Sequence, residues 1–293
     1  MNPEKIPFRL TCGRSIYYSF LPGKGTPVVY LNGLSDSMEN WWSVVKGQHL
    51  KQPQLFVDLL GQGESLEQEF KSGVSFNYRL SLEEQVKALQ ELLQELKVDR
   101  FSVVGFSYGG GVALAMTPVF GPRIEHFILF LPFILRLDLS LPFSRLWMAQ
   151  YGFLKGLTPK IWQSSFTQAE KLYERFIENY MHYRYLKRIP DARYRQVAVD
   201  LSHGIMEFNS FKVMNFIPDH KLILVTSGLD TLVPQSLYHE FWYRLPESKK
   251  RGWLKVLNGQ HLLLEQSPGL VASTILRSLS NQLSGTESCL ATP

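Results

Sequence analysis

The chain is poor in cysteine, and this limits the chemistry open to it. Only Cys12 and Cys289 occur among 293 residues, and Cys289 falls in a short polar segment near the end of the sequence. Two such thiols suggest neither a disulfide framework nor a thiol metal site. Redox chemistry is therefore not expected of this protein.

Long apolar runs are also missing. The most apolar run, residues 127–135, is about as long as a core strand and contains Pro132, whereas a bilayer-spanning helix needs about 20 apolar residues. The first ten residues carry Glu4, Lys5 and Arg9 without the apolar segment of a secretory signal. We therefore expect no transmembrane segment, and a cytoplasmic protein.

The formal net charge of +5 is concentrated in one segment. Residues 136–195 contain eleven basic and five acidic residues, a local excess of +6, so the remainder is close to neutral. Two interpretations remain open: a solvated helical surface, or a patch that contacts an acidic carrier or an anionic membrane surface. No nucleic-acid recognition motif accompanies these charges, so no nucleic-acid partner is expected.

Apolar runs of strand length alternate with helical patterns in the first part of the chain. Ser81 and Glu84 form a capping-box pattern ahead of leucines at helical spacing. This alternation predicts an α/β fold with a mostly parallel central sheet flanked by helices. The predicted strands are residues 15–20, 27–31, 54–57, 101–104 and 127–131.

The alternation stops after residue 131 and resumes at 222–226. Aromatic and basic residues interleave between these points, which indicates an inserted helical segment. We therefore predict a core formed by residues 1–131 and 212–284, with a helical cap insertion at 132–211. Residues 285–293 are expected to be a disordered tail.

One short motif carries the chemistry. Gly105-Phe106-Ser107-Tyr108-Gly109 is a G-x-S-x-G sequence between a predicted strand and a helix rich in small residues. A sharp strand-to-helix turn exposes the serine hydroxyl above the sheet edge and places it near backbone N–H groups that stabilise an oxyanion. Ser107 is therefore the candidate nucleophile.

A serine hydroxyl needs a base, and the base needs a group that orients it. Asp230 follows the predicted strand at 222–226, and His261 lies in a glycine-containing loop after the strand at 253–257. Both would lie at the carboxyl edge of the sheet together with Ser107. The rival acid Asp200 falls inside the insertion, and the other six histidines do not follow a late strand in this way.

Together these motifs resemble the α/β-hydrolase superfamily, in its esterase- and lipase-like branch with a helical cap. The resemblance covers nearly the whole chain and implies an oxyanion hole formed by the backbone N–H groups of Leu34 and Tyr108. It also implies that the cap shapes the acyl pocket. Many relatives have histidine where Asn32 stands, and a longer basic motif at Leu60, which weakens assignment to any subfamily.

These observations predict a serine hydrolase that cleaves a carboxylic ester of a mainly apolar acyl substrate, with no metal and no cofactor. The substrate-binding candidates are Asn32, Trp147 and Tyr151, although Asn32 could instead anchor the oxyanion loop and the cap aromatics could pack on the core. A thioesterase, an amidase or a C–C bond hydrolase would use the same residues. A non-catalytic ligand-binding protein is the remaining alternative.

Overall fold

The computed structural model describes residues 3–46, 48, 50–73, 80–134, 197, 200–201, 204, 208–230, 233, 235–282 and 285–290. Over these residues the chain forms one nine-stranded sheet with helices on both faces. The strands are β1 (Ile6–Arg9), β2 (Ser15–Leu21), β3 (Val28–Leu31), β4 (Gln54–Asp58), β5 (Phe101–Phe106), β6 (Ile124–Phe130), β7 (Leu222–Ser227), β8 (Lys250–Val256) and β9 (Gly285–Leu290). The α-helices are α1 (Glu39–Val45), α2 (Gly63–Lys71), α3 (Leu82–Glu95), α4 (Tyr108–Phe120), α5 (Gln235–Arg244), α6 (Leu263–Gln266) and α7 (Pro268–Leu279).

The strand order is β1-β2-β4-β3-β5-β6-β7-β8-β9. β2 is antiparallel to β1 and to β4, and every other neighbouring pair is parallel. The predicted α/β fold with a mostly parallel sheet is confirmed. Because parallel strands end at the same edge, the loops after β3, β4, β5, β7 and β8 meet there.

The central strands are buried on both faces, which explains their continuous apolar sequences. Successive side chains alternate between the faces. Val28 and Tyr30 pack in one core cluster with Trp41 of α1, while Val29 packs in the other with Leu89 of α3. Each large apolar side chain removed from water in this way contributes about 2 kcal/mol. The two clusters fix the sheet between its helical layers.

The predicted capping box begins α3. The Ser81 hydroxyl accepts a hydrogen bond from the Glu84 N–H at 3.2 Å, and the Glu84 carboxylate accepts one from the Ser81 N–H at 2.8 Å. Two N–H groups that lack partners inside the helix are thereby satisfied. The start of the helix is fixed by this pair, as the sequence predicted.

The end of the chain differs from the prediction of a disordered tail at 285–293. Residues Gly285–Leu290 form β9, which pairs in parallel with β8. The physical reason is that β8 would otherwise present a row of unpaired backbone N–H and C=O groups at the sheet edge. An extended segment satisfies those groups whatever its side chains are, so its polar composition was misleading.

Most of the predicted cap insertion lies outside the described residues, and its boundaries stay a prediction. The described residues 197, 200, 201 and 204 are helical. Val197 and Leu201 are buried, and both approach Gly61 of the core. In the part of the chain that the structure describes, each helix is too short or too polar to traverse a lipid bilayer.

Replacing Ser81 with alanine removes the acceptor for the Glu84 N–H. We expect Ser81→Ala to lower the free energy of unfolding by about 1 kcal/mol, measured by urea denaturation. Ser273→Ala is the matched control, because Ser273 is exposed within α7 and bonds only to the Leu270 carbonyl of its own helix. Equal stability of the Ser81 variant and wild type would contradict the role given to the capping box.

Candidate active site

Ser107 stands at the turn from β5 to α4 in a strained conformation. Its φ is 50° and its ψ is −112°, unusual for a residue with a side chain. The Ser107 N–H donates to the Phe130 carbonyl, and the Phe133 N–H donates to the Ser107 carbonyl, both at 2.9 Å. The end of β6 and the residues just after it therefore hold the turn from both sides.

The glycines around Ser107 are required by close backbone packing. A Cβ atom at Gly105 would lie 2.7 Å from the Gly109 carbonyl oxygen and 2.8 Å from the Gly110 Cα. A Cβ atom at Gly109 would collide with the backbone carbonyls of Leu31 and Asn32. These contacts bring the end of β3 against the first turn of α4, as the motif in the sequence predicted.

The loops after β7 and β8 carry Asp230 and His261 and are hydrogen-bonded to each other. The Gly228 N–H donates to the Val256 carbonyl at 2.8 Å. The Leu229 N–H donates to the Gly259 carbonyl at 3.0 Å, and the Ser227 hydroxyl also donates to that carbonyl. The two loops therefore form a single unit at the carboxyl edge of the sheet.

The structure brings the three predicted catalytic side chains together. His261 Nε2 lies 2.7 Å from Ser107 Oγ, and His261 Nδ1 lies 3.1 Å from both carboxylate oxygens of Asp230. All three residues are more than nine-tenths buried. The Phe106 ring packs beside the imidazole, with 5.6 Å between ring centroids. Asp200, the rival acid, lies in the helical part of the insertion instead.

Two further groups hold the Asp230 carboxylate, and sequence reasoning missed both. The Tyr238 hydroxyl donates to Oδ2 at 3.1 Å, and the Val233 N–H donates to Oδ1 at 3.2 Å. Burial raises the pKa of Tyr238 well above its ordinary value, and the neighbouring Asp230 raises it further. The phenol therefore stays protonated and remains a donor. The only signal in the sequence was the position of Tyr238, eight residues after Asp230 and in the first turn of the following helix α5.

The predicted oxyanion donors lie on two adjoining segments. Tyr108 is the first residue of α4, where backbone N–H groups have no acceptor within the helix. Leu34 lies in the loop after β3, whose Gly33 approaches so closely that a Cβ there would be 2.9 Å from the Phe106 ring. The Tyr108 side chain plays a separate, structural part, because its buried hydroxyl accepts from Gln85 at 3.2 Å.

Asn32 does not present its amide nitrogen to a substrate. The Nδ2 group donates to the Val57 carbonyl and to Asp58 Oδ1, each at 3.1 Å, and the residue is buried. Because the amide nitrogen faces two acceptors, the orientation of the amide is fixed. Of the two roles considered for Asn32, the geometry supports anchoring of the loop after β3.

Several sequence predictions fall on residues outside the described part of the chain. Trp147, Tyr151 and the basic residues between 136 and 195 belong to this group, so their roles stay predictions. Among the described residues, no group of three or more His, Cys, Asp or Glu side chains could hold a metal ion.

Comparisons of sequence give a match to one family. The model of the alpha/beta hydrolase fold matches residues 26–160. The rat (Rattus norvegicus) 1-acylglycerol-3-phosphate O-acyltransferase ABHD5 is 29% identical over 133 residues, covering 44% of this chain and 36% of that protein. The match covers about a third of the length of the curated relatives: 35% of a Mycobacterium bovis protein and 36% of the rat protein.

Comparisons of structure cover nearly the whole chain. An alpha/beta hydrolase from a Medee basin deep-sea metagenome library, MGS-M2, has a TM-score of 0.68 at 16% identity, covering 94% of this chain and 97% of that one. A thermophilic esterase from Thermogutta terrifontis has a TM-score of 0.63 at 18% identity, covering 96% and 100%. The chain has the α/β-hydrolase fold.

A methyl group at Gly105 would force the strand end and the helix start apart. We expect Gly105→Ala to lower the free energy of unfolding by about 3 kcal/mol, since the colliding atoms are backbone. Gly269→Ala is the control, because nothing lies within 4 Å of a Cβ atom at that helical position. Urea denaturation of both variants measures the difference, and equal stability of the two would refute the close packing.

Proposed function

We propose that this protein is a serine hydrolase that cleaves a carboxylic ester through an acyl-enzyme intermediate. The observation that carries the proposal is the buried chain of contacts from Ser107 Oγ through the His261 imidazole to Asp230. A hydroxyl at 2.7 Å from an imidazole nitrogen is within reach for proton transfer. The carboxylate on the far side of the ring fixes the tautomer that leaves Nε2 free to accept.

In the first half of the reaction, Ser107 Oγ attacks the ester carbonyl while His261 Nε2 takes the hydroxyl proton. The backbone N–H groups of Leu34 and Tyr108 stabilise the oxyanion of the tetrahedral intermediate. Its collapse breaks the bond to the leaving oxygen, which receives the proton from His261. The products of this half are an alcohol and an acyl group bound to Ser107.

In the second half, a water molecule attacks the acyl carbon while His261 accepts one of its protons. Collapse of the second tetrahedral intermediate breaks the bond to Ser107 Oγ, and His261 returns the proton to that oxygen. A carboxylic acid leaves and the free enzyme is restored. Asp230 keeps the imidazole in place and stabilises its positive charge in both halves.

The acyl group is proposed to be mainly apolar, on the basis of the large apolar residues in the predicted cap. The description of the Thermogutta terrifontis neighbour as an esterase agrees with ester cleavage. The name of the rat relative describes transfer of an acyl group to 1-acylglycerol-3-phosphate, so both reactions would act on an acyl group.

The test follows hydrolysis of p-nitrophenyl esters with acyl chains from two to twelve carbons. We expect wild type to show an optimum chain length, and Ser107→Ala to lose at least about 1,000-fold in kcat because the nucleophile is absent. Ser273→Ala, which changes an exposed serine whose hydroxyl bonds to the Leu270 carbonyl of its own helix, should match wild type. A fluorophosphonate should label wild type and fail to label Ser107→Ala.

The outcomes separate the alternatives. Labelling of Ser107 without hydrolysis of any ester would replace ester cleavage by thioester, amide or C–C bond cleavage with the same residues. Absence of both labelling and hydrolysis in folded wild-type protein would reject a serine hydrolase and favour a ligand-binding member of the fold. Ester hydrolysis that persists in Ser107→Ala would reject the assigned nucleophile.

The hydrogen bond from Tyr238 to Asp230 gives a second, independent test of the assigned residues. We expect Tyr238→Phe to lower kcat about tenfold with little change in KM, because a hydrogen bond to a buried charged group is removed while substrate contacts remain. Tyr243→Phe is the control, since Tyr243 lies on the same helix and is 68% exposed. Steady-state kinetics on the preferred ester measures both; an unchanged kcat in Tyr238→Phe would mean that Asp230 needs no such support.

A further inference from the structure

The loop that carries Leu34 is anchored at both ends by one oxygen atom. Asp58 Oδ1 accepts a hydrogen bond from Asn32 Nδ2 at 3.1 Å and another from the Met38 N–H at 2.6 Å. Asn32 directly follows β3, and Met38 directly precedes α1. The segment from residue 32 to residue 38, here called the oxyanion loop, is therefore closed by the carboxylate.

The second oxygen of Asp58 is also occupied. Oδ2 accepts from the Glu64 N–H in the first turn of α2 at 2.9 Å. Gly63 lies against the same carboxyl group with a φ of 47°, and a Cβ at Gly63 would collide with it. Asp58 thus joins the oxyanion loop to the segment that follows β4.

The interior of the oxyanion loop is a tight turn. The Asp36 N–H donates to the Gly33 carbonyl at 3.1 Å, and Ser35 has a φ of 60°. Gly33 packs against the ring of Phe106, the residue before Ser107. A shift of either end of the loop would therefore move the Leu34 N–H relative to the serine.

As an isolated buried charge, the Asp58 carboxylate would destabilise the fold. Its side chain is completely buried, and this burial raises its pKa to about 7, against the opposing effect of the hydrogen bonds from Glu64 and Met38. Lys5 also lowers the pKa, through its charge, and it forms ion pairs with Glu39 and Glu64. A well-packed apolar residue often stabilises such a site as well as a buried charge does, so stability alone gives a weak reason for a carboxylate here.

We propose that Asp58 is a positioning residue for the oxyanion hole, acting through its hydrogen bonds to Asn32 and Met38. This inference rests on the proposed function, since it assigns a role in stabilising the oxyanion at Leu34. An oxyanion donor works only when it lies about 2.7–3.1 Å from the position of the developing charge. Three fixed donors around one buried carboxylate supply that accuracy.

The experiment compares an ester with the matching thionoester, in which sulfur replaces the carbonyl oxygen. Sulfur is larger and a weak hydrogen-bond acceptor, so the oxyanion hole contributes little to thionoester cleavage. In Asp58→Ala, we expect kcat for the ester to fall about 30-fold and kcat for the thionoester to fall less than about threefold. KM for the ester should change by less than about twofold, because the acyl pocket is untouched.

Asp58→Asn separates the loop from the rest of the site. The asparagine oxygen can still accept from Asn32 and Met38, while its amide group cannot accept from Glu64. We therefore expect the ester rate to return to within about threefold of wild type. Glu69→Gln is the control for loss of a buried carboxylate, because Glu69 lies in α2, accepts from Arg14 and has no bond to the loop. Its ester-to-thionoester ratio should equal that of wild type.

A measurement independent of turnover accompanies the kinetics. Hydrogen exchange of a peptide covering residues 32–38 should be faster in Asp58→Ala than in wild type, and unchanged in Glu69→Gln. If Asp58→Ala does not fold, Asn32→Ala frees one end of the loop and should show the same effects at a smaller size. All assays are run at pH 8.5, where the Asp58 carboxylate is ionised.

The results distinguish this inference from the proposed function. Equal losses on ester and thionoester, or unchanged exchange in the loop, would overturn the role of Asp58 while leaving serine hydrolysis intact. A wild type that neither turns over esters nor reacts with a fluorophosphonate would overturn the proposed function. In that case the exchange measurement alone decides whether Asp58 anchors the loop.

Discussion

Two hydrogen bonds, one to the end of β6 and one to Phe133 just after it, hold Ser107 in a backbone conformation that an L-residue seldom adopts. Such a conformation costs about 1–3 kcal/mol and persists only where the surroundings over-determine it. The Phe130 carbonyl and the Phe133 N–H supply part of this determination, and the packing of Gly105 against the start of α4 also contributes. The positions of His261 and of the proposed oxyanion donors relative to Ser107 all depend on this one turn.

The site combines two buried carboxylates that follow the same physical rule in different ways. A carboxylate removed from water needs donors on both oxygens. Asp230 receives them from Tyr238, from a backbone N–H and from the imidazole, and so it can respond to the charge of His261. Asp58 receives an asparagine amide and two backbone N–H groups, and so it can hold chain segments in place.

The fold and the central contacts could be predicted because their signals are local. The strand-to-helix setting of Ser107 identified the turn, and the order of Asp230 and His261 after late strands identified their edge of the sheet. The supporting groups could not be found in this way. Tyr238 has no motif of its own, and its role arises only when α5 packs against the loop after β7.

Short or atypical elements were missed for similar reasons. β1 contains Pro7 and has only four residues, so its pairing with β2 decides its conformation more than its own propensity does. The strand Gly285–Leu290 depends on the free edge of β8 in the same manner. The role of Asn32 became visible only when Val57 and Asp58 were seen beside it, because β3 and β4 are separated by more than twenty residues in sequence.

The contact between Ser107 and His261 joins residues separated by 154 positions in the chain. During synthesis, the strand and turn that present the serine leave the ribosome long before the histidine does. The hydroxyl stays a weak nucleophile throughout that interval, because no base is yet within reach. Under the proposed mechanism the nascent chain is therefore protected from acylation, and Ser107 becomes reactive only after β7 and β8 have joined the sheet. Chemical labelling of Ser107 would therefore report when the folding that assembles the site is complete.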